Sequence, residues 1–317
     1  VTIETESVPA DALKFLAQRV RVTPDARALA TMQDRALEKR FLSGIGCEVA
    51  PFAELQKVED LESTDVNALV PGLLKTCRDG YDGKGQRAIA SREDLERALA
   101  AGNVRCVLER KVKLAGELSV ILARSDDGRT AVYPPALNRH EAGVLDLSVV
   151  PAPLDSRITD KAIAIAQHIA AALDYCGVLC VEFFLTDDGR LLVNELAPRP
   201  HNSGHYTVDA CETSQFEQQV RVLAQIPLGP TELSTRRGAV AMANLLGDLW
   251  HEGEPAWQHA LAHPDARLHL YGKRTPRAGR KMGHLTCIGH SADAAAAAAL
   301  DLRAALSRGR RTASSSP

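Results

Sequence analysis

Aromatic residues are scarce in this chain: Phe, Trp and Tyr together make up 4% of its 317 residues. That scarcity argues against a single-stranded nucleic-acid platform, which stacks bases on aromatic side chains. Charge of one sign is lacking too. The 38 Lys and Arg residues nearly balance 40 Asp and Glu, for a formal net charge of −2, so a polyanion-binding surface is not the main role. No apolar run approaches the ~18 residues of a membrane span, and no signal peptide is visible. Neither nucleic acid nor membrane is therefore expected as a partner, and a cytoplasmic location is. The seven cysteines (Cys47, Cys77, Cys106, Cys176, Cys180, Cys211 and Cys287) are odd in number and scattered. Without paired Cys-x-x-Cys spacings a zinc site is not expected, and free thiols in a reducing compartment account for them. The length suits about two domains.

What the chain does concentrate is polar chemistry behind an apolar strand. Residues 194–205, Asn-Glu-Leu-Ala-Pro-Arg-Pro-His-Asn-Ser-Gly-His, carry a carboxylate, a guanidinium, two imidazoles, amides and a hydroxyl. Pro198, Pro200 and Gly204 hold them in a non-helical path. So dense a polar cluster at the end of a core strand points to binding, since unpaired buried polar groups are costly. The plain alternative is a solvated loop after an edge strand. His201 and His205 have i,i+4 spacing, but Pro200 and Gly204 disfavour the helix that would make them co-ligands.

Upstream, the apolar runs Val178–Leu185 and Leu191–Glu195 are joined through Asp188-Gly189. A two-residue type I′ turn there predicts a hairpin in which opposed residue numbers sum to 377, setting Glu182 across from Glu195. Like charges so placed repel. A cation between them turns that cost into a site, and two hard oxygen ligands with open positions suit magnesium carrying nucleotide phosphates. The alternative is a solvent-facing sheet with both carboxylates hydrated.

A second motif, Gly80-Tyr-Asp-Gly-Lys-Gly-Gln86, follows the short strand Leu73–Thr76. Its glycines let backbone amides approach an anion, with Lys84 supplying charge. It is not a Walker loop, which needs four residues between its first glycine and Gly-Lys-Ser/Thr, and Gly44-Ile-Gly46 is not a dinucleotide fingerprint.

Helices are predicted at 9–20, after an opening strand, and at Met32–Leu42. Others run from the capping box at Ser91 to Ala100, from Asp155 to Tyr175, from Thr213 to Ala224, and over 291–307. Strands near 48–51, 72–76, 104–109, 117–124 and 129–134 are expected to build one small lobe. Short strands between 229 and 290, including Ala239–Leu246 and Arg267–Tyr271, make a β-rich subdomain. Residues 309–317 read as a disordered tail.

With these pieces in this order the chain resembles the ATP-grasp ligases, and more narrowly the N5-carboxyaminoimidazole ribonucleotide synthetases. The carrying motifs are Lys75-Thr76, the glycine loop 80–86, the segment 194–205, and Lys273 through Gly279-Arg-Lys-Met-Gly-His284. The resemblance implies an α/β (α+β) ATP-grasp fold with a small nucleotide-covering lobe and a C-terminal β-rich subdomain. A doubly wound N-terminal domain would be largely absent, residues 1–30 being its remnant. The ATP-grasp unit would span 31–228, with its small lobe at about 48–135, and the C-terminal subdomain 229–308. ATP would lie among Arg35, Lys75, Gly80, Tyr81, Asp82, Gly83, Lys84, Gly85, Gln86, Glu109, Arg110, Lys111, Val112, Glu117, His140, Asn194 and Glu195. Magnesium would sit on Glu182 and Glu195. Arg199, His201, Asn202, Ser203 and Lys273 would be catalytic, and Glu6, Tyr81, Asp82, Lys84, Lys273 and Arg280 would hold substrate.

The implied reaction joins ATP, bicarbonate and 5-aminoimidazole ribonucleotide through carboxyphosphate, in a homodimer. A formate-using glycinamide ribonucleotide transformylase and a catalytically silent nucleotide-binding fragment stand as alternatives.

Overall fold

The computed structural model describes residues 1–308 apart from Asp79, 81–84, Asn103 and 235–237. The central residues of the glycine loop (Tyr81, Asp82, Gly83 and Lys84) and the tail 309–317 therefore lie outside the described residues. Helices are α1 (Ala10–Ala17), α2 (Ala26–Met32), α3 (Arg35–Gly44), α4 (Arg92–Ala100), α5 (Ser156–Ala172), α6 (Thr207–Ala210), α7 (Gln215–Leu223), α8 (Gln258–Leu261) and α9 (Ala292–Arg308).

Strands β1 (Phe52–Leu55), β2 (Gly72–Thr76), β3 (Gln86–Ile89) and β4 (Cys106–Arg110) form a small sheet in the order β1-β4-β2-β3. A large sheet takes β5 (Leu114–Arg124), β6 (Thr130–Val132), β7 (Ala136–Glu141), β8 (Val144–Val150), β9 (Gly177–Thr186), β10 (Leu191–Ala197), β11 (Ala239–Leu246), β12 (Ala266–Leu270) and β13 (Lys281–Gly289). Its order is β10-β9-β5-β7-β8-β11-β13-β12, with β6 also paired to β5.

Period-two alternation in β5 and β9 decides which face is which. Leu118, Val120 and Leu122 with Leu179, Val181 and Phe183 pack against α5. Ile121, Ala123, Val178 and Cys180 pack on the other face with Val222 of α7. The intervening polar positions Ser119 and Glu182 are register partners and share that second face. The apolar stripe of α5 and the alternation of the strands thus aim both side chains away from the α5 core.

Several expectations need correcting. Strands at 117–124 and 129–134, assigned from sequence to the small lobe, are β5 and β6 of the large sheet. Residues 111–113 link the two sheets, between β4 and β5. Val1–Glu6 forms no strand; Val1 is instead tied to the backbone at Arg21 and Thr23. The helix expected over Met32–Leu42 breaks at Gln33, because Asp34 caps a new one by accepting the Ala36 and Leu37 amides at 3.2 Å. Residues 48–51 make only a single bridge, Val49 to Val193. Strands β7 and β8 were not anticipated, and they bring His140 into the large sheet.

The Asp-Asp-Gly-Arg hairpin also differs from the expected one. Only Gly189 has positive φ (82°), and Thr186 pairs with Arg190 around a three-residue loop. Opposed numbers then sum to 376 from Leu191↔Leu185 to Val193↔Phe183. A bulge at Asn194 adds one residue, so Glu195 does face Glu182. The expected pairing arises through a register shifted by one residue and a compensating bulge.

Candidate active site

Helix α3 is the hub. Arg35, Glu38 and Lys39 lie on one face by helical spacing, and each reaches a different part of the molecule. Arg35 donates to Glu195 Oε2 at 3.1 Å and to the Gly80 carbonyl at 3.0 Å. Glu38, 2% exposed, accepts the Leu196 amide at 2.7 Å. Lys39 meets Glu109 at 3.3 Å, and Lys75 meets the same carboxylate at 3.0 Å. Both lysines and Glu109 are buried. Against the burial penalty, the two ammonium groups hold the Glu109 carboxyl below its usual range. Two cations on one carboxylate, with Arg35 nearby, leave a positive balance suited to phosphate oxygens. Neither Glu38 nor Lys39 is singled out by the sequence, which predicts only the helix that carries them.

Glu182 and Glu195 face each other across the β9–β10 ladder. Burial first, and then the charge of Glu195, push the Glu182 carboxyl up to about 7. A divalent cation would remove that cost, so the donor set fits magnesium. Glu117 on β5 lies 3.1 Å from His140 Nδ1 of β7. Burial opposes protonation of His140, but Glu117 outweighs it and the pKa is raised.

The loop after β10 is locked from beneath. Gln215 of α7 accepts the His201 amide and donates to the His201 carbonyl, each at 2.8 Å. His201 Nδ1 accepts the Ser203 amide at 3.3 Å and lies 2.9 Å from Ser203 Oγ. Its proton is thereby assigned to Nε2, which stands 3.5 Å from Glu182. Burial, then the charges of Arg199 and Lys281, hold its pKa well below the usual value, so the ring is neutral. Behind it runs a hydrogen-bonded chain: Ser148 donates to Asn138, Asn138 to Ser119, and Ser119 to Ser203, at 2.8–2.9 Å. The chain ends at Ser203, whose hydroxyl lies against His201 Nδ1. Asn202 exchanges two side-chain hydrogen bonds with Asn244 of β11, at 3.0 and 2.7 Å. Arg199 grips Glu6 bidentately, Nη2 to Oε1 at 2.9 Å.

A cavity of about 750 Å³ is lined by Glu6, Arg35, Gly80, Glu195, Arg199, His201 and Asn202. Lys281 lines it as well and was not singled out from the sequence. Lys273 and Arg280 are not among its lining residues. Lys273 donates to the Lys281 carbonyl at 2.7 Å and Arg280 to the Thr275 carbonyl at 2.8 Å. Arg110 and Lys111 are exposed where β4 leaves the small sheet.

Residues 40–216 match the ATP-grasp domain, and residues 240–298 match the phosphoribosylaminoimidazole carboxylase C-terminal domain. The N5-carboxyaminoimidazole ribonucleotide synthase of Bacillus subtilis is 43% identical over 287 residues, which are 90% of this chain and 74% of that protein. The chain belongs to the N5-carboxyaminoimidazole ribonucleotide synthase family of ATP-grasp proteins. The fold agrees. The Thermus thermophilus synthetase superposes with a TM-score of 0.85 at 40% identity, covering 97% of this chain and 81% of that one. An Aspergillus clavatus family member, solved with ADP and 5-aminoimidazole ribonucleotide, gives 0.85 at 29% identity, covering 97% and 81%. Among the described residues no helix is long and apolar enough to cross a membrane.

Proposed function

We propose that this chain carboxylates 5-aminoimidazole ribonucleotide on its exocyclic amine, with ATP and bicarbonate, releasing ADP and phosphate. The observation that carries this reading is the convergence of the α3 cations, the Glu182–Glu195 pair and the Arg199–Asn202 loop on one region. In the proposed sequence, bicarbonate oxygen attacks the γ-phosphorus of ATP and ADP leaves. The amine nitrogen then attacks the carboxyphosphate carbonyl, phosphate leaves, and the amine proton goes to solvent or phosphate. Lys75, Arg35 and the glycine loop would bind the nucleotide phosphates, and Glu182 with Glu195 would hold magnesium, which neutralises charge on the transferring phosphoryl group. Arg199 is suited to a carboxylate or phosphate oxygen because its fork already grips Glu6, an anion a substrate could displace. His201 would act as a neutral donor through Nε2, its Nδ1 being committed to Ser203. Ser203 and Asn202 orient that loop, a positional contribution. Tyr81, Asp82, Lys84, Lys273 and Arg280 enter this scheme as substrate ligands on family likeness alone, as does a homodimer.

We also propose residues 31–228 as the ATP-grasp unit and 229–308 as the C-terminal subdomain. The test is ADP release from magnesium and ATP, with and without the ribonucleotide and bicarbonate. Release that needs the ribonucleotide supports the ligase. Nucleotide binding without substrate-stimulated release favours a silent binding protein, and release driven by formate and glycinamide ribonucleotide would favour the transformylase.

A further inference from the structure

A second cluster of ligating groups lies outside the cavity described above. His269 of β12 and His284 of β13 are directly paired across the ladder, and their rings stack at 4.5 Å between centroids and 11° between planes. Asp209 of the short helix α6 reaches the same point, with Oδ2 2.9 Å from His269 Nε2. One nitrogen of each histidine and one carboxylate oxygen lie within 4.8 Å of one another. The group borders an open pocket of about 430 Å³, lined by His205, Phe216, His269, Tyr271 and His284 among others.

We propose that Asp209, His269 and His284 form a binding site for a zinc-class divalent cation, separate from the magnesium site.

Two features of His284 point to a ligand. The residue is 4% exposed, and its Nε2 is buried without a hydrogen-bond partner among the described residues. Native structures rarely leave such an atom unsatisfied, and a bound ion is one of the recognised explanations. Its other nitrogen, Nδ1, is 2.9 Å from the Tyr271 hydroxyl. An outer partner of this kind fixes ring orientation and tautomer in metal-ligating histidines. With Nδ1–H donating to the phenol oxygen, Nε2 is left with its lone pair free.

The donor set selects the metal. Two imidazoles and one carboxylate suit zinc, whereas magnesium prefers oxygen ligands throughout. Tetrahedral ligands at about 2.0–2.1 Å from a shared ion stand ~3.4 Å apart, so the cluster must close by about an ångström or more on binding. His269, one-third exposed at its side chain, has room to rotate. Three protein ligands leave a fourth position facing the pocket. Neither sequence spacing nor composition announces this site, because its residues are 60 and 15 positions apart and only the β12–β13 ladder and α6 bring them together. A bound ion would clamp α6, which directly follows the His201–His205 loop, to the C-terminal strands.

The test is zinc and cobalt titration of the full chain, followed by calorimetry and cobalt absorption. Two other groups among the described residues could take the ion, the Cys180, Glu182 and His201 cluster and the Glu182–Glu195 pair, so the same titration is run on Cys180→Ser and on Glu182→Gln. The expected result is one equivalent that persists in Glu182→Gln and in Cys180→Ser, without a thiolate charge-transfer band. Binding should weaken at least about 100-fold in His269→Ala and in Asp209→Asn, since loss of a ligand should exceed the 10–100-fold typical of losing an outer-shell partner. Both positions are nearer the surface than His284, and circular dichroism verifies that each variant is folded. Absence of stoichiometric binding, or binding that Cys180→Ser or Glu182→Gln abolishes and His269→Ala retains, overturns the proposal.

Discussion

Proton and metal should compete at Glu182, and the competition has a definite size. Without metal, burial and Glu195 push its carboxyl from an ordinary 4.5 up to about 7. A carboxyl raised in the folded state contributes stability that is full below its unfolded pKa and declines as pH rises from about 4.5 towards 7. Metal binding runs the other way, because the ion needs the ionised form. At pH 6 roughly one-tenth of Glu182 would be ionised and at pH 8 roughly nine-tenths, so divalent affinity should rise roughly tenfold across that interval. Close to one proton should be released per ion bound at the acid end. Manganese is a convenient probe, since it takes the same hard oxygen ligands; free Mn2+ is read by electron paramagnetic resonance and proton release by calorimetry in buffers of different ionisation enthalpy. Glu182→Gln keeps the shape, removes the charge, and should leave weak binding that no longer varies with pH. Affinity that is flat from pH 6 to 8 in the parent chain, or full binding by Glu182→Gln, would refute both the burial argument and the ligand assignment.

Three further outcomes follow from the geometry. Glu109→Gln leaves Lys39 and Lys75 without their shared carboxylate and should cost about 3–5 kcal/mol in urea unfolding; a loss under ~1 kcal/mol would mean the lysines reach water instead. Glu38 is pushed up to about 8 by burial and then by Glu195, so its contribution is present below about 4.5 and lost as pH rises towards 8. Glu38→Gln, which keeps an acceptor for Leu196, should therefore raise the melting temperature relative to the parent at pH 8, the gain fading by pH 5. Gly204→Ala would place a Cβ 2.1 Å from Ile121 Cδ1 and 2.7 Å from Gln215 Oε1. Ile121 and Gln215 must then give way or the His201 loop lift off β5, costing on the order of 1–3 kcal/mol and most of the ribonucleotide-dependent ADP release; unchanged kinetics would show that the loop is not held by that contact.

The sequence by itself settled what local chemistry settles. The apolar run Val178–Leu185 and the apolar stripe of Asp155–Tyr175 determined β9 and α5: the strand buries both faces and the helix one. The crowding of Asn194 to His205 located the centre of the site, because few folds place so many polar groups behind a core strand without using them. Even so, the pairing of Glu182 with Glu195 was anticipated through the wrong turn: a three-residue loop and a bulge give the result expected of a two-residue loop.

Tertiary structure decided the rest. No sequence window shows that Glu38 and Lys39 are buried, because their helix looks amphipathic until the small sheet and β10 close over its polar face. Nor could spacing reveal that β5 and β6 leave the small lobe for the large sheet, a choice made by ladder partners far along the chain. The chain Ser148–Asn138–Ser119–Ser203 draws on β8, β7, β5 and the loop after β10. Such contacts join residues up to 84 positions apart, where sequence periodicity carries no information and packing alone selects the neighbour.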